Sequence, residues 1–119
     1  MKNSGLIKQF IAATAIAKNR VVKLAAGDNE VALATDVADP LIGVSEEPQD
    51  IAAGQRIDVT FSGIVEVEAG AVVAKNALVT VDAQGRAVAS SAGTDSTIGR
   101  ALTAANAAGD IISIEIQKG

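Results

Sequence analysis

Three groups of carboxylates are the places where this sequence offers reactive chemistry. Glu46 and Glu47 with Asp50 form the densest group, Asp36 and Asp39 the next, and Glu66 and Glu68 a third. Clustered carboxylates can hold a hard cation such as calcium, and a facing pair can share acid and base roles. The surroundings argue for plainer roles. The first two groups flank Pro48 and Pro40 and read as solvated loops. Glu66 and Glu68 alternate with Val65 and Val67, which places them on the wet face of a half-buried strand. No metal, cofactor or catalytic residue is assigned from these groups.

The rest of the inventory points away from catalysis. The chain has no histidine and no cysteine, so Ser-His and Cys-His nucleophile pairs and thiolate metal sites are excluded within it. Ser4 and Ser62 precede glycines but lack the G-x-S-x-G context of a nucleophile elbow. The glycines stand mostly six or more residues apart, unlike a phosphate-cradling loop, and EF-hand spacing is absent. Without cysteine there is no disulfide, which suits a reducing compartment. The net charge is −4, with the basic residues scattered among acidic ones, so no basic stripe is available for nucleic acid. Phe10 and Phe61 are too few and too isolated to stack bases. The reading is a binding protein, not an enzyme.

With 119 residues the chain is long enough for one domain with its own core. Aromatics make up only 2% of it, so that core must be built from Val, Ile, Leu and many Ala. A buried Val or Ile contributes roughly 1.5–3 kcal/mol and Ala considerably less. Modest monomer stability, helped by self-association or a partner, is the expectation. Met1-Lys2 followed by the apolar run Phe10–Ala17 faintly resembles a secretion signal, but the run is at the short end for one and far too short to span a bilayer.

Short strands fit the punctuation better than long helices. Ile57-Asp-Val-Thr-Phe61 alternates apolar and polar residues, the phase continues to Val65 and Val67, and Ile112–Ile116 repeats the pattern. Val79–Val81 and Ala87–Ala89 flank Asp82-Ala-Gln-Gly85, a hairpin signal. Residues 6–26 stay ambiguous. Ile7, Phe10, Ile11, Thr14 and Ala17 fit a helical stripe, while strands near Phe10–Ile16 and Val21–Ala25 about a Lys18-Asn-Arg20 turn fit equally.

The chain also repeats itself. Ile42-Gly43 recurs as Ile98-Gly99, and Ala53-Gly54 as Ala108-Gly109. Ile57, Val59 and Phe61 are matched by Ile112, Ile114 and Ile116, and Val22, Leu24, Ala26 and Val31 by Val79, Val81, Ala83 and Val88. Two degenerate halves, about 20–62 and 77–117, suggest a mainly β domain: a small barrel or sandwich with short helical turns and a pseudo-twofold internal repeat.

The order of these features resembles the capsid cement, or head decoration, proteins of tailed bacteriophages. It runs Phe10-Ile-Ala-Ala-Thr-Ala-Ile-Ala-Lys-Asn-Arg-Val-Val-Lys23, Leu41-Ile-Gly-Val-Ser45, Ala53-Gly-Gln-Arg-Ile-Asp-Val-Thr-Phe-Ser-Gly63, Val67-Glu-Ala-Gly70, Leu78-Val-Thr-Val-Asp-Ala-Gln-Gly-Arg-Ala-Val88, Ile98-Gly-Arg-Ala-Leu102 and Ala108-Gly-Asp-Ile-Ile-Ser-Ile114. The likeness rests on glycine and apolar spacing. One stretch departs: Val73-Ala-Lys-Asn76 has no glycine where Ala-Gly-Asp is expected before the strand.

The resemblance implies a protein made in the host cytoplasm that binds the outer surface of the mature virion head. It implies a β-rich fold, the major capsid protein as partner, and copies clustered as homotrimers at (quasi-)threefold sites, with neither nucleic acid nor membrane involved. It also implies an extended N-terminal arm, taken as residues 1–9 ahead of a single domain over 10–119, and it favours a strand at Phe10–Ile16. Leu6, Ile7 and Phe10 are the candidate apolar anchor to the capsid or a neighbouring subunit, with the domain's own core as the other destination. Alternatives are a low-copy phage module, such as the base of a head fibre, and an unrelated domain binding a metal or sugar through the acidic loops.

Overall fold

A computed structural model describes residues 7–36, 39, 41–45, 49–90 and 96–116. The described residues form ten strands: β1 (Ile7–Ala12), β2 (Arg20–Leu24), β3 (Glu30–Leu33), β4 (Leu41–Ser45), β5 (Arg56–Thr60), β6 (Ile64–Glu68), β7 (Leu78–Val81), β8 (Ala87–Ala89), β9 (Gly99–Ala101) and β10 (Ile111–Ile116). The first five close into a barrel in the order β1-β3-β2-β4-β5, and the others form a sheet in the order β6-β10-β9-β7-β8. The mainly β reading holds. The short helical turns do not: no helix lies among the described residues, whose connections carry turns, bends and isolated bridges. The ambiguous stretch resolves into β1 and β2 about a turn at Lys18 and Asn19.

The internal repeat extends to hydrogen-bond register. Phe10 faces Ile57 as Val67 faces Ile112, and Val22 faces Gly43 as Val79 faces Gly99. Val22 faces Leu33 as Val79 faces Ala89, and Val44 faces Thr60 as Arg100 faces Glu115. The parallel pair Ala12 and Val31, which closes the barrel, recurs as the single bridge Ala69 to Ala87, so the counterpart of Val31 is Ala87, one residue before the Val88 that sequence spacing matched to it. Each unit therefore has five strands, Ile7–Thr60 and Ile64–Ile116. Both are longer than the halves read from sequence, because β1 and β6 share an apolar-x-Ala pattern with no glycine landmark. The single alternating phase from Ile57 to Val67 conceals the junction, where Gly63 at φ 89° separates β5 from β6.

Sequence matches now acquire reasons. A Cβ on Gly43 would collide with the Thr60 carbonyl, and one on Gly99 with the Glu115 carbonyl, so Ile-Gly recurs where β4 crosses β5 and β9 crosses β10. Gly54 and Gly109 have open space around them but φ of 87° and 96°, a conformation that disfavours any Cβ. Asn76 takes φ 77°, as Asn19 takes 57°, so asparagine supplies the left-handed residue where the expected glycine is missing.

Both interiors use the same positions. Phe10, Ala12, Ile16, Val22, Val31, Ile51, Ile57 and Val59 cluster in the first unit. Their counterparts Val67, Ala69, Val73, Val79, Ala87, Ala105, Ile112 and Ile114 cluster in the second. Several of these are smaller, and the second cluster is completed by Val21, Ala34, Leu41 and Val44 of the first unit. The first barrel thus keeps a core of its own, while the core of the second unit is built from both units.

Candidate interaction surface

The units join through a segment of the first inserted at a seam of the second. In the first unit, the Ile11 N–H donates to the Asn29 carbonyl at 2.7 Å and helps seal β1 against β3. At the equivalent place in the second unit, the Glu68 N–H donates instead to the Asn19 carbonyl at 2.9 Å, and the Gly85 carbonyl accepts from the Val21 N–H at 2.8 Å. The Asn19 side-chain amide donates to the Glu66 carbonyl at 3.2 Å. Residues Asn19–Val21 therefore stand between β6 and the β7–β8 turn, which explains why the second unit closes by only one bridge.

Arg20 locks the insertion. Its guanidinium donates to the Gln84 carbonyl at 2.9 Å and to the Glu68 carboxylate at 3.3 Å, while Arg86 lies 3.8 Å from the same carboxylate. Asp82 accepts from the Arg86 side chain at 3.0 Å and from the Gln84 and Arg86 N–H groups, fixing the turn. The Arg20 Nε is buried without a hydrogen-bond partner. Glu68 is therefore a structural ion-pair residue, not the solvated strand residue expected, whereas Glu66 is exposed as expected.

Asp39 and Asp50 of the other acidic groups are also hydrogen-bonded. Asp39 accepts from the Thr35 and Asp36 N–H groups at 3.0 and 3.1 Å and lies 3.3 Å from Lys23 Nζ. Burial works to raise its pKa, but those bonds and the Lys23 charge outweigh it and hold the carboxyl below its ordinary value. Asp50 accepts from the Lys18 N–H at 3.1 Å, and Glu46 and Glu47 lie outside the described residues. No group of three or more potential ligands for a metal ion occurs among the described residues.

The three residues singled out as an anchor fall in different environments. Leu6 lies outside the described residues. Ile7 is 52% exposed at the start of β1, opposite Thr60. Phe10 is buried in the first barrel with the Lys8 ammonium 5.2 Å from its ring centre, so it serves the domain's own core. Ile7, Lys8 and Gln9, expected in the arm, pair with Thr60, Val59 and Asp58 as part of β1. Nearby, Lys8, Gln9, Phe10, Ile11, Asn29 and Arg56 line an open pocket of about 290 Å³ that sequence reading did not find.

Comparison with known proteins places this architecture. The model of the phage cement protein family matches residues 2–116. The chain belongs to that family. It is a capsid-associated structural protein of a bacteriophage. The crystal structure of the head fibre gp8.5 N base of bacteriophage phi29 shares the fold, with a TM-score of 0.72 over 94% of this chain and 93% of that one, at 20% identity. No curated protein sequence matches the chain.

Proposed function

We propose that the protein binds the outside of the mature phage head and stabilises the capsid lattice without catalysis. In this reading it clusters as trimers at (quasi-)threefold sites, with the major capsid protein as partner. The observation that carries the reading is the family match over nearly the entire chain. A stable contact buries about 1,200–2,000 Å², a large demand on one small monomer. Clustering copies about an axis lets individually weak contacts add through effective concentration. Residues 1–6, continuing from β1, act as the arm, with Leu6 and Ile7 as its apolar anchor.

Quantitative mass spectrometry of purified virions tests this. Hundreds of copies per particle, comparable with the major capsid protein, are expected, and heads lacking the protein should break at lower temperature. A handful of copies would instead support a head-fibre base, the second reading, which the phi29 structural likeness favours. Absence from virions would overturn both.

A further inference from the structure

The contact between the two units is one-sided, and each unit retains the half of it that the other uses. In the second unit the receiving positions are Glu66, Glu68 and Gly85. Their counterparts in the first unit, by strand register, are Gln9, Ile11 and Asn29, which line the open pocket beside β1. In the first unit the inserted segment is Asn19-Arg20-Val21; its counterpart in the second is Asn76-Ala77-Leu78. Asn76 has the same left-handed backbone as Asn19. Val21 is fully buried, whereas Leu78, at the equivalent position, is 41% exposed.

The differences between the two sets are matched. Within the chain, Arg20 meets Glu68 as an ion pair. At the corresponding positions both residues have become apolar, Ala77 on the segment and Ile11 on the pocket. An arginine kept on the segment without its carboxylate would oppose docking; alanine stands there instead. We propose that the Asn76–Leu78 segment of one copy docks beside Ile11 in the pocket of a second copy, at the positions that join the two units but without their main-chain bonds, because the Ile11 N–H and Asn29 carbonyl hold each other and the Asn76 carbonyl accepts from Arg100. This rests on the self-association reading above and specifies its interface.

The Ile11–Asn29 hydrogen bond stays closed, so the segment seats on the outer side of the pocket. There the Gln9 carbonyl receives the Asn76 amide and Leu78 lies against Ile11. The flanking residues are basic on both sides, Lys8 and Arg56 on the pocket and Lys75 and Arg100 by the segment. Apolar and amide contacts therefore supply the attraction, and added salt tightens it. Such a head-to-tail contact uses different patches on the two copies and closes into a ring when its rotation divides a full turn.

The test is to move the intramolecular pair onto the outer contact. Ala77→Arg adds a cation among these basic flanks and is expected to weaken self-association at least tenfold in sedimentation equilibrium, whereas Ile11→Glu, whose charge the flanking lysines and arginines compensate, loses only the apolar contact. The double variant Ile11→Glu/Ala77→Arg rebuilds the pair and is expected to recover wild-type association, with thermal unfolding confirming the fold of all three. An Ala77→Arg variant that associates like wild type, or a double variant no tighter than Ala77→Arg alone, would overturn this interface and leave self-association standing. A wild-type chain that stays monomeric at its highest soluble concentration would overturn the trimer reading together with it.

Discussion

Arg20 of the first unit and Glu68 of the second form an ion pair at 3.3 Å, with both side chains about one-fifth exposed. The pair closes the seam into which Asn19–Val21 is inserted. Arg20→Ala removes that bond and the one to the Gln84 carbonyl, and leaves Glu68 with only the more distant Arg86. Hydrogen bonds to charged groups are worth about 1.5–3 kcal/mol, and partial exposure screens part of this. Destabilisation of about 2 kcal/mol is expected. In urea titration the midpoint should fall with an unchanged slope, and a double-mutant cycle with Glu68→Gln should show coupling of about 1 kcal/mol.

The repeated glycines should respond according to their different constraints. Gly43→Ala and Gly99→Ala drive a Cβ into the backbone of the crossing strand, which must move. Overpacking of this kind costs about 1–3 kcal/mol. Gly54→Ala and Gly109→Ala meet no atom and incur only the left-handed backbone, about 1–2 kcal/mol. Equilibrium unfolding of the four variants should rank the crossing pair as the more damaging. Equal losses at all four would mean that the strands yield easily at the crossings.

Ser45 offers a comparison that the repeat itself supplies. It is buried, its hydroxyl lies 3.1 Å from the Ala17 carbonyl, and it accepts from the Arg20 N–H at 3.3 Å. The equivalent residue in the second unit is Ala101, so this site tolerates alanine where no inserted segment follows. Ser45→Ala should cost about 1 kcal/mol by leaving partly buried backbone groups of Ala17 and Arg20 without this partner. Hydrogen exchange at Asn19–Val21 should rise more than exchange elsewhere.

Much of the architecture was legible because the strands are short and their faces alternate. Ile57–Phe61 and Ile112–Ile116 lie close to β5 and β10, and the hairpin at Asp82–Gly85 lies where its turn residues put it. Residues 6–26 could not be assigned from periodicity, since Phe10, Ile11 and Ala17 satisfy a helical stripe as well as two strands. Barrel closure by the parallel β1–β3 pair is a long-range contact with no local signal. The seam was invisible for a related reason. Its signature is the exchange of Arg20 and Glu68 for Ala77 and Ile11, and those four residues can be compared only once register aligns the units. The two destinations weighed for Phe10 could not be separated in sequence. An isolated aromatic near a terminus looks the same whether it faces a partner or fills a barrel, and the structure buries it in the first barrel.

Asp39 gives a pH dependence of known sign. Its folded pKa lies below the ordinary value of 3.8, so the folded state favours the charged carboxylate. The resulting stabilisation is fully present above the unfolded value and is lost as pH falls through the folded one. Asp39→Asn should therefore be less stable than wild type at neutral pH, with the gap shrinking below about pH 4. Urea midpoints measured from pH 7 to pH 2.5 check this, and a gap that persists unchanged into acid would assign the loss to the Thr35–Asp36 turn geometry instead.

The boundary between arm and barrel can be found by truncation. Residues 7–9 contribute the β1 pairings to Thr60, Val59 and Asp58, so removing residues 2–9 strips half of a strand that helps to close the first barrel. That truncation should lower stability as well as capsid binding. Removing residues 2–6 leaves β1 intact and should keep the unfolding midpoint near wild type while head occupancy drops sharply. Ile7→Asp, at a position 52% exposed, should weaken binding with little effect on folding. Occupancy is read by gel densitometry of heads incubated with each variant. Full decoration by the 2–6 truncation would rule out the arm as the anchor and move attention to the β1 face and its pocket. A destabilised 2–6 truncation would place part of the arm within the folded domain.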